Sequence, residues 1–329
     1  MASIPLSVSA CTRMCPQGLL NVHHGLLEND LKAARRLVSG GSHGLEPFSQ
    51  ASRIGDHSSV RLSIASSQKG LFVKPLDGFE VSEFTDGDIT HPVYVRGSGP
   101  GVLLLHELPG MVPQCVDLAT FIAKQGFTVF MPLLFGEPGA PPATKSLTAH
   151  VCISREFHCF AHNKSSPVTR WLRALCVQRI RPNCPGPGIG AIGMCFTGGF
   201  VLSLFVSDMM LAPVICQPGL PFPSLKRGAG AALGVSPEDL EEASASTAPI
   251  LGLRFDDDKI CPKERFETLR TLFGSRFETP RVRGKEHSVL TLAFVDDPSH
   301  DTFKARARVI AFLEEQLGVP SPAARTEAD

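Results

Sequence analysis

Cys195 lies inside the run GIGAIGMCFTGGF, residues 188–200, where small residues flank a single thiol. The apolar stretch Ile189 to Met194 predicts a short buried strand, Cys195 the apex of a tight turn, and Thr197, Gly198 and Gly199 the opening of a helix. A strand, a sharp turn and a helix in that order make a nucleophile elbow, which lifts a Ser or Cys above the edge of a parallel sheet. The helix places free N–H groups and a positive dipole end beside the sulfur, which favours thiolate over thiol. Two further features supply partners. Asp256, Asp257 and Asp258 follow the apolar run Pro249 to Phe255, and His287 follows a predicted strand near Arg281 to Lys285. In the order nucleophile, acid, histidine, these residues can perform acyl transfer: the cysteine attacks a carbonyl, the histidine moves the proton and an aspartate orients the histidine. The structural alternatives are a buried cysteine in a Gly-rich turn and aspartates that only solvate a loop.

Such groups need a sheet whose strands all end on one side. Gly101 to Glu107 and Phe127 to Pro132 read as apolar strands with an amphipathic helix, Val116 to Gln125, between them. This βαβ rhythm implies a mostly parallel sheet flanked by helices, an α/β fold, with function gathered at the carboxyl ends of the strands. Helices are expected at Leu147 to Ala161 and Pro167 to Ile180, and a strand at Pro213 to Gln217. Ser236-Pro237-Glu238-Asp239 forms a helix start with Ser as N-cap, and Pro262 to Phe273 predicts another helix. The closing helix, Thr302 to Leu317, repeats Phe303, Ala307, Ile310, Leu313 and Leu317 at steps of three and four, so these are expected to share one buried face. Residues 1–70 carry Ser, Gly and His clusters and read as a loosely ordered extension, 71–318 as one α/β-hydrolase domain and 319–329 as a tail. Cys11, Cys15, His23 and His24 in the extension are spaced too irregularly to frame a metal site.

From residue 72 to 318 the chain resembles the dienelactone hydrolase family, the cysteine branch of the α/β hydrolases. GMCFTGG resembles the family's G-x-C-x-G-G, with Thr197 in place of its first glycine after the nucleophile. LLLHELPGM, residues 103–111, resembles a family strand ending in a glutamate that contacts the resting cysteine and helps to generate the thiolate. The resemblance therefore implies that Glu107 is an activating carboxylate and that the N–H groups of Leu108 and Phe196 form the oxyanion hole. FDDDKICP resembles the segment whose triad aspartate precedes a proline by four residues, which selects Asp258; KEHSVL resembles the G-H-S/G-F segment, which selects His287. His300 competes with His287, but its place before the last helix suits capping. Family members that cleave dienelactone hold the substrate carboxylate with arginines, one of them four residues after the histidine. Thr291 occupies that position here, and Arg155 is the candidate replacement cation.

Composition narrows the partners. Lys plus Arg and Asp plus Glu number 32 each among 329 residues, so no basic field exists for nucleic acid or an anionic membrane. Asp208 interrupts the longest apolar window, Phe200 to Cys216, so no membrane span is expected. Ten cysteines without a CxxC pair read as reduced thiols of a cytoplasmic protein. The chemistry requires neither cofactor nor metal. The expected function is hydrolysis of a small carboxylic ester or lactone through a thioester, in the manner of a carboxymethylenebutenolidase. A hydrolase-fold binding protein without turnover is the alternative raised by Thr197 and Thr291. A redox sensor is the weaker one, because no second cysteine is positioned to resolve an oxidised Cys195.

Overall fold

The computed structural model describes residues 74–142, 166–205, 207–219 and 229–320. The extension with Cys11, Cys15, His23 and His24, the helix expected at Leu147 to Ala161 with Arg155, and most of the C-terminal tail lie outside the described residues.

The described strands are β1 Glu80–Asp86, β2 Ile89–Gly97, β3 Gly101–Leu105, β4 Thr128–Pro132, β5 Ile189–Met194, β6 Met210–Cys216, β7 Ile250–Leu253 and β8 Phe277–Glu278. They form one sheet in the order β1-β2-β4-β3-β5-β6-β7-β8. Pairing is antiparallel from β1 to β4 and parallel from there to β8, so this is the mostly parallel sheet of the α/β-hydrolase fold. The β1–β2 hairpin has no counterpart in the sequence reading above. Its signal is Thr85-Asp86-Gly87-Asp88, where Gly87 takes φ 57° in a two-residue loop that pairs Asp86 with Ile89.

Alternate residues of β3 face opposite layers: Leu103 and Leu105 pack in one core cluster, Val102 and Leu104 in the other. The first layer contains helices α2 (Pro167–Leu175), α3 (Pro237–Ala245) and α4 (Lys263–Phe273); the second contains α1 (Pro113–Lys124) and α5 (Asp301–Leu317). Helix starts follow local chemistry. Ser166 and Ser236 accept from the N–H of Thr169 and Asp239, each with Pro next in line. α1 begins earlier than its apolar period suggests because Pro113 can open it.

Three expectations need correction. Arg281 to Lys285 is not a continuous strand: Pro280 lacks an N–H for the ladder, so β8 ends at Glu278 and only Val282 bridges to Phe255. In α5 the buried face is Thr302, Ala305, Val309, Ile310, Phe312, Leu313 and Leu317, while Ala307 is exposed and Phe303 only half-buried. Counting from Phe303 set the phase of the stripe about one residue off. From Cys195 the chain forms ten residues of 3₁₀ helix, to Leu204, rather than α-helix. Residues three apart eclipse in that geometry, and the adjacent Gly198 and Gly199 relieve the crowding.

Arg173 fastens this layer. Its guanidinium donates to Ser203 O at 2.5 Å, at the end of the elbow helix, and to Asp239 Oδ1 and Glu242 Oε2 in α3 at 2.7 and 2.6 Å. Asp239 is buried, so removal of the cation takes away an ion-pair partner that water cannot replace. Arg173→Leu is expected to lower unfolding stability by about 3 kcal/mol. The double variant Arg173→Leu/Asp239→Asn should lose less; urea titration of both reads the difference.

Candidate active site

The elbow is built by exclusion of side chains. Cys195 takes φ 51°, a left-handed conformation seldom adopted by a residue with a Cβ. A Cβ on Gly193 would stand 2.4 Å from Thr197 O and 2.7 Å from Val201 Cγ2, so only glycine lets the helix turn back this closely on its strand. The Thr197 hydroxyl accepts from the Met194 N–H at 3.1 Å and lies 2.9 Å from Met194 O and 3.2 Å from both Leu105 O and His106 O. It thereby ties the elbow to the end of β3, where a glycine would supply no such group.

His106 secures the other side of β3. Its Nε2 accepts from the Leu134 N–H at 3.0 Å, and its ring meets Phe135 edge to face. Burial lowers its pKa to about 4, so it stays neutral.

Beyond β7 the chain keeps step with residues 282–284. Asp256 N and Asp257 N donate to Val282 O and Gly284 O at 2.9 and 3.0 Å, and these bonds bring His287 back over Asp258. Of the three aspartates, Asp256 pairs with Arg281 and Asp257 is exposed. Asp258 is buried: Oδ1 accepts from the N–H groups of Ile260 and Cys261 at 2.8 and 3.0 Å, and Oδ2 lies 2.7 Å from His287 Nδ1. His287 Nε2 is buried without a hydrogen-bond partner of ordinary geometry. Cys195 is nevertheless close, with donor atoms of Cys195 and His287 within 4.8 Å of each other. Burial depresses the pKa of His287, but the Asp258 bond and Cys195 outweigh it and raise the value to about 10.

Glu107, fully buried two residues after β3, completes the cluster. Its Oε1 accepts from the Thr291 hydroxyl, and its Oε2 from Ser288 Oγ at 2.8 Å and more weakly from Gln217 Nε2 at 3.5 Å. Burial raises the Glu107 pKa against these bonds and the field of His287. One donor atom each of Glu107, Cys195 and His287 falls within 4.8 Å of the others. A cation placed there would have to compete with the hydroxyl and amide donors that already occupy both oxygens of Glu107.

Cys195, Asp258, His287 and Glu107 are therefore brought together, while Arg155 lies outside the described residues. Leu108 and Phe196 follow the carboxyl ends of the neighbouring parallel strands β3 and β5, whose register pairs Leu105 with Gly193. His300 caps α5, accepting from Thr302 N at 3.3 Å. Sequence reasoning passed over Gln217 and Ser288 and treated Thr291 only as a departure. The available signal was a polar residue closing the apolar run of β6, and hydroxyls one and four residues past the histidine.

The family model for the dienelactone hydrolase family matches residues 86–296. Among solved structures, a dienelactone hydrolase-like promiscuous phosphotriesterase from metagenomic libraries aligns with TM-score 0.52 at 18% identity, over 73% of this chain and 98% of its own. Esterase 2 from Thermogutta terrifontis aligns with TM-score 0.50 at 16% identity, over 75% and 98%. A dienelactone hydrolase from Anabaena variabilis aligns with TM-score 0.50 at 13% identity, over 73% and 98%. At these identities the likeness speaks for the fold. No curated protein matches the chain.

Replacement of Thr197 by valine keeps the shape and removes the hydroxyl, leaving the buried Met194 N–H unpaired. Thr197→Val should cost about 1–3 kcal/mol in a denaturant titration, with alkylation of Cys195 slowed as the elbow loosens from β3.

Proposed function

The chain belongs to the dienelactone hydrolase family, and from that premise we propose that it hydrolyses a small carboxylic ester or lactone through a Cys195-His287-Asp258 triad. The observation that carries this proposal is the convergence of Cys195, His287 and Glu107 donors within 4.8 Å, with His287 Nδ1 held 2.7 Å from Asp258 Oδ2.

Before attack the Cys195 thiol proton passes, by way of the Glu107 carboxylate, to His287, which leaves a thiolate beside an imidazolium and Glu107 unchanged. Sγ attacks the ester carbonyl, and the N–H groups of Leu108 and Phe196 hold the developing oxyanion. As the tetrahedral adduct collapses, the imidazolium of His287 gives its proton to the departing alkoxide, leaving a thioester on Cys195 and a neutral imidazole. That imidazole takes a proton from water, whose hydroxide adds to the thioester. Collapse expels the thiolate, the acid leaves, and His287 is again protonated. Asp258, accepting from His287 Nδ1–H, keeps Nε2 toward the sulfur throughout.

A binding protein on the same fold is the competing reading, and it requires an unreactive thiol. Iodoacetamide should label Cys195 ahead of the other cysteines at neutral pH, since Cys115, Cys176 and Cys261 have thiols pushed up to about 12 or beyond by burial. Ester cleavage should be lost in step with labelling. Activity surviving full modification, or Cys195→Ala, would end the assignment. His287→Ala should lose about 10²- to 10⁴-fold in kcat, and His300→Ala should stay near wild type.

The pH profile follows from the direction of the His287 shift. A raised pKa means that the imidazolium persists through neutrality and is lost only as pH rises through about 10. The alkaline limb of kcat/KM should fall near that value rather than near the ordinary histidine value. Asp258→Asn, which removes one of the two groups that raise it, should move the limb downward; an unmoved limb would show that another group titrates.

A further inference from the structure

Ile260 is the most exposed large apolar side chain among the described residues, at 56%. Isolated surface hydrophobics are ordinary, and exposure alone assigns nothing. Its position is unusual in three respects. It is the first apolar residue after the run Asp256-Asp257-Asp258-Lys259, of which Asp257 and Lys259 are exposed. Its backbone is pinned, because Ile260 N donates to Asp258 Oδ1 and the next residue, Cys261, is held through its N–H by Asp258 and through its carbonyl by Arg254. The exposed side chain is thus presented from a fixed turn. It also stands beside the nucleophile: a Cβ placed on Gly219 would lie 3.5 Å from Ile260 Cγ2 and 3.2 Å from Cys195 Sγ.

Gly219 has its own constraint. Its N–H donates to Cys195 O at 2.9 Å, so this backbone runs directly against the elbow. No left-handed φ requires glycine here, unlike at Gly110 or Gly136. A side chain would crowd the sulfur instead, and glycine leaves open the space between the sulfur and the Ile260 methyl group.

We propose that Gly219 and Ile260 form an apolar subsite beside Cys195 Sγ that takes the uncharged hydrocarbon part of the ester. Gly219 supplies the room, and Ile260 supplies the wall that is desolvated when substrate binds. This inference rests on Cys195 being the nucleophile and adds to that reading a determinant of substrate class.

Alkylation of the full chain tests it without turnover. The rate of Cys195 modification by N-phenylmaleimide is divided by that for iodoacetamide, a small polar reagent. Ile260→Ala should lower this ratio about tenfold, in keeping with lost apolar contact. Ile260→Leu should restore most of it. Gly219→Ala should lower the ratio further, because its methyl group fills the entry. For hydrolysis, Ile260→Ala should lower kcat/KM for 4-nitrophenyl butyrate relative to 4-nitrophenyl acetate. Ratios unchanged in Ile260→Ala and Gly219→Ala, with Cys195 still the first thiol labelled, would overturn the subsite and leave the nucleophile standing. Failure of wild-type Cys195 to be labelled first would overturn both.

Discussion

A carboxyl group buried from water must find its hydrogen bonds within the protein, and Glu107 finds them on three separate pieces of chain. Thr291 and Ser288 come from the segment after His287, Gln217 from the end of β6, and Glu107 itself from the end of β3. Each partner is itself buried, so loss of one bond leaves polar atoms on both sides without water to replace it. This requirement sets the register of the site. The His287 segment must sit where its hydroxyls reach Glu107, and that same placement carries His287 to Asp258 and Cys195. Thr197 does the equivalent work one layer away, anchoring the elbow to the carbonyls that precede Glu107.

The site also balances its charges. Burial raises the Glu107 pKa, while the bond to Asp258 and the nearby Cys195 together outweigh burial to favour the proton on His287. The neutral His106, its pKa lowered by burial, adds no charge to this balance.

Patterns set by period and by covalent chemistry were visible in the sequence. The continuous apolar runs marked β3 to β7, Ser236-Pro237 marked the start of α3, and the small residues around Cys195 marked the elbow. Features that depend on contacts across the sheet were not. Three adjacent aspartates are equivalent by period alone; the resemblance selected Asp258, and the bonds of Asp256 to Arg281 and of Asp258 to His287 distinguish them physically. In the β1–β2 hairpin, β1 has no buried residue and β2 is interrupted by Pro92 and ends in exposed or half-buried residues, a weaker pattern than the buried parallel runs. Thr197 and Thr291 looked like losses because a motif records the residue type at each position. Their hydroxyls have partners on segments about 90 and 180 residues away, as the spacings of 92 and 184 show, and no local pattern reports such partners.

Thr291 also bears on the kind of substrate the site can accept. Where the family places an arginine that would hold a substrate carboxylate, this chain has a hydroxyl already bonded to Glu107. Among the described residues, position 291 therefore supplies no cation. Of the arginines near these loops, Arg254 is engaged with Cys261 O and Asp256 O, and Arg281 with Asp256. Under the proposed function, the exposed Ile260 offers hydrocarbon rather than a cation to the group that enters beside Cys195.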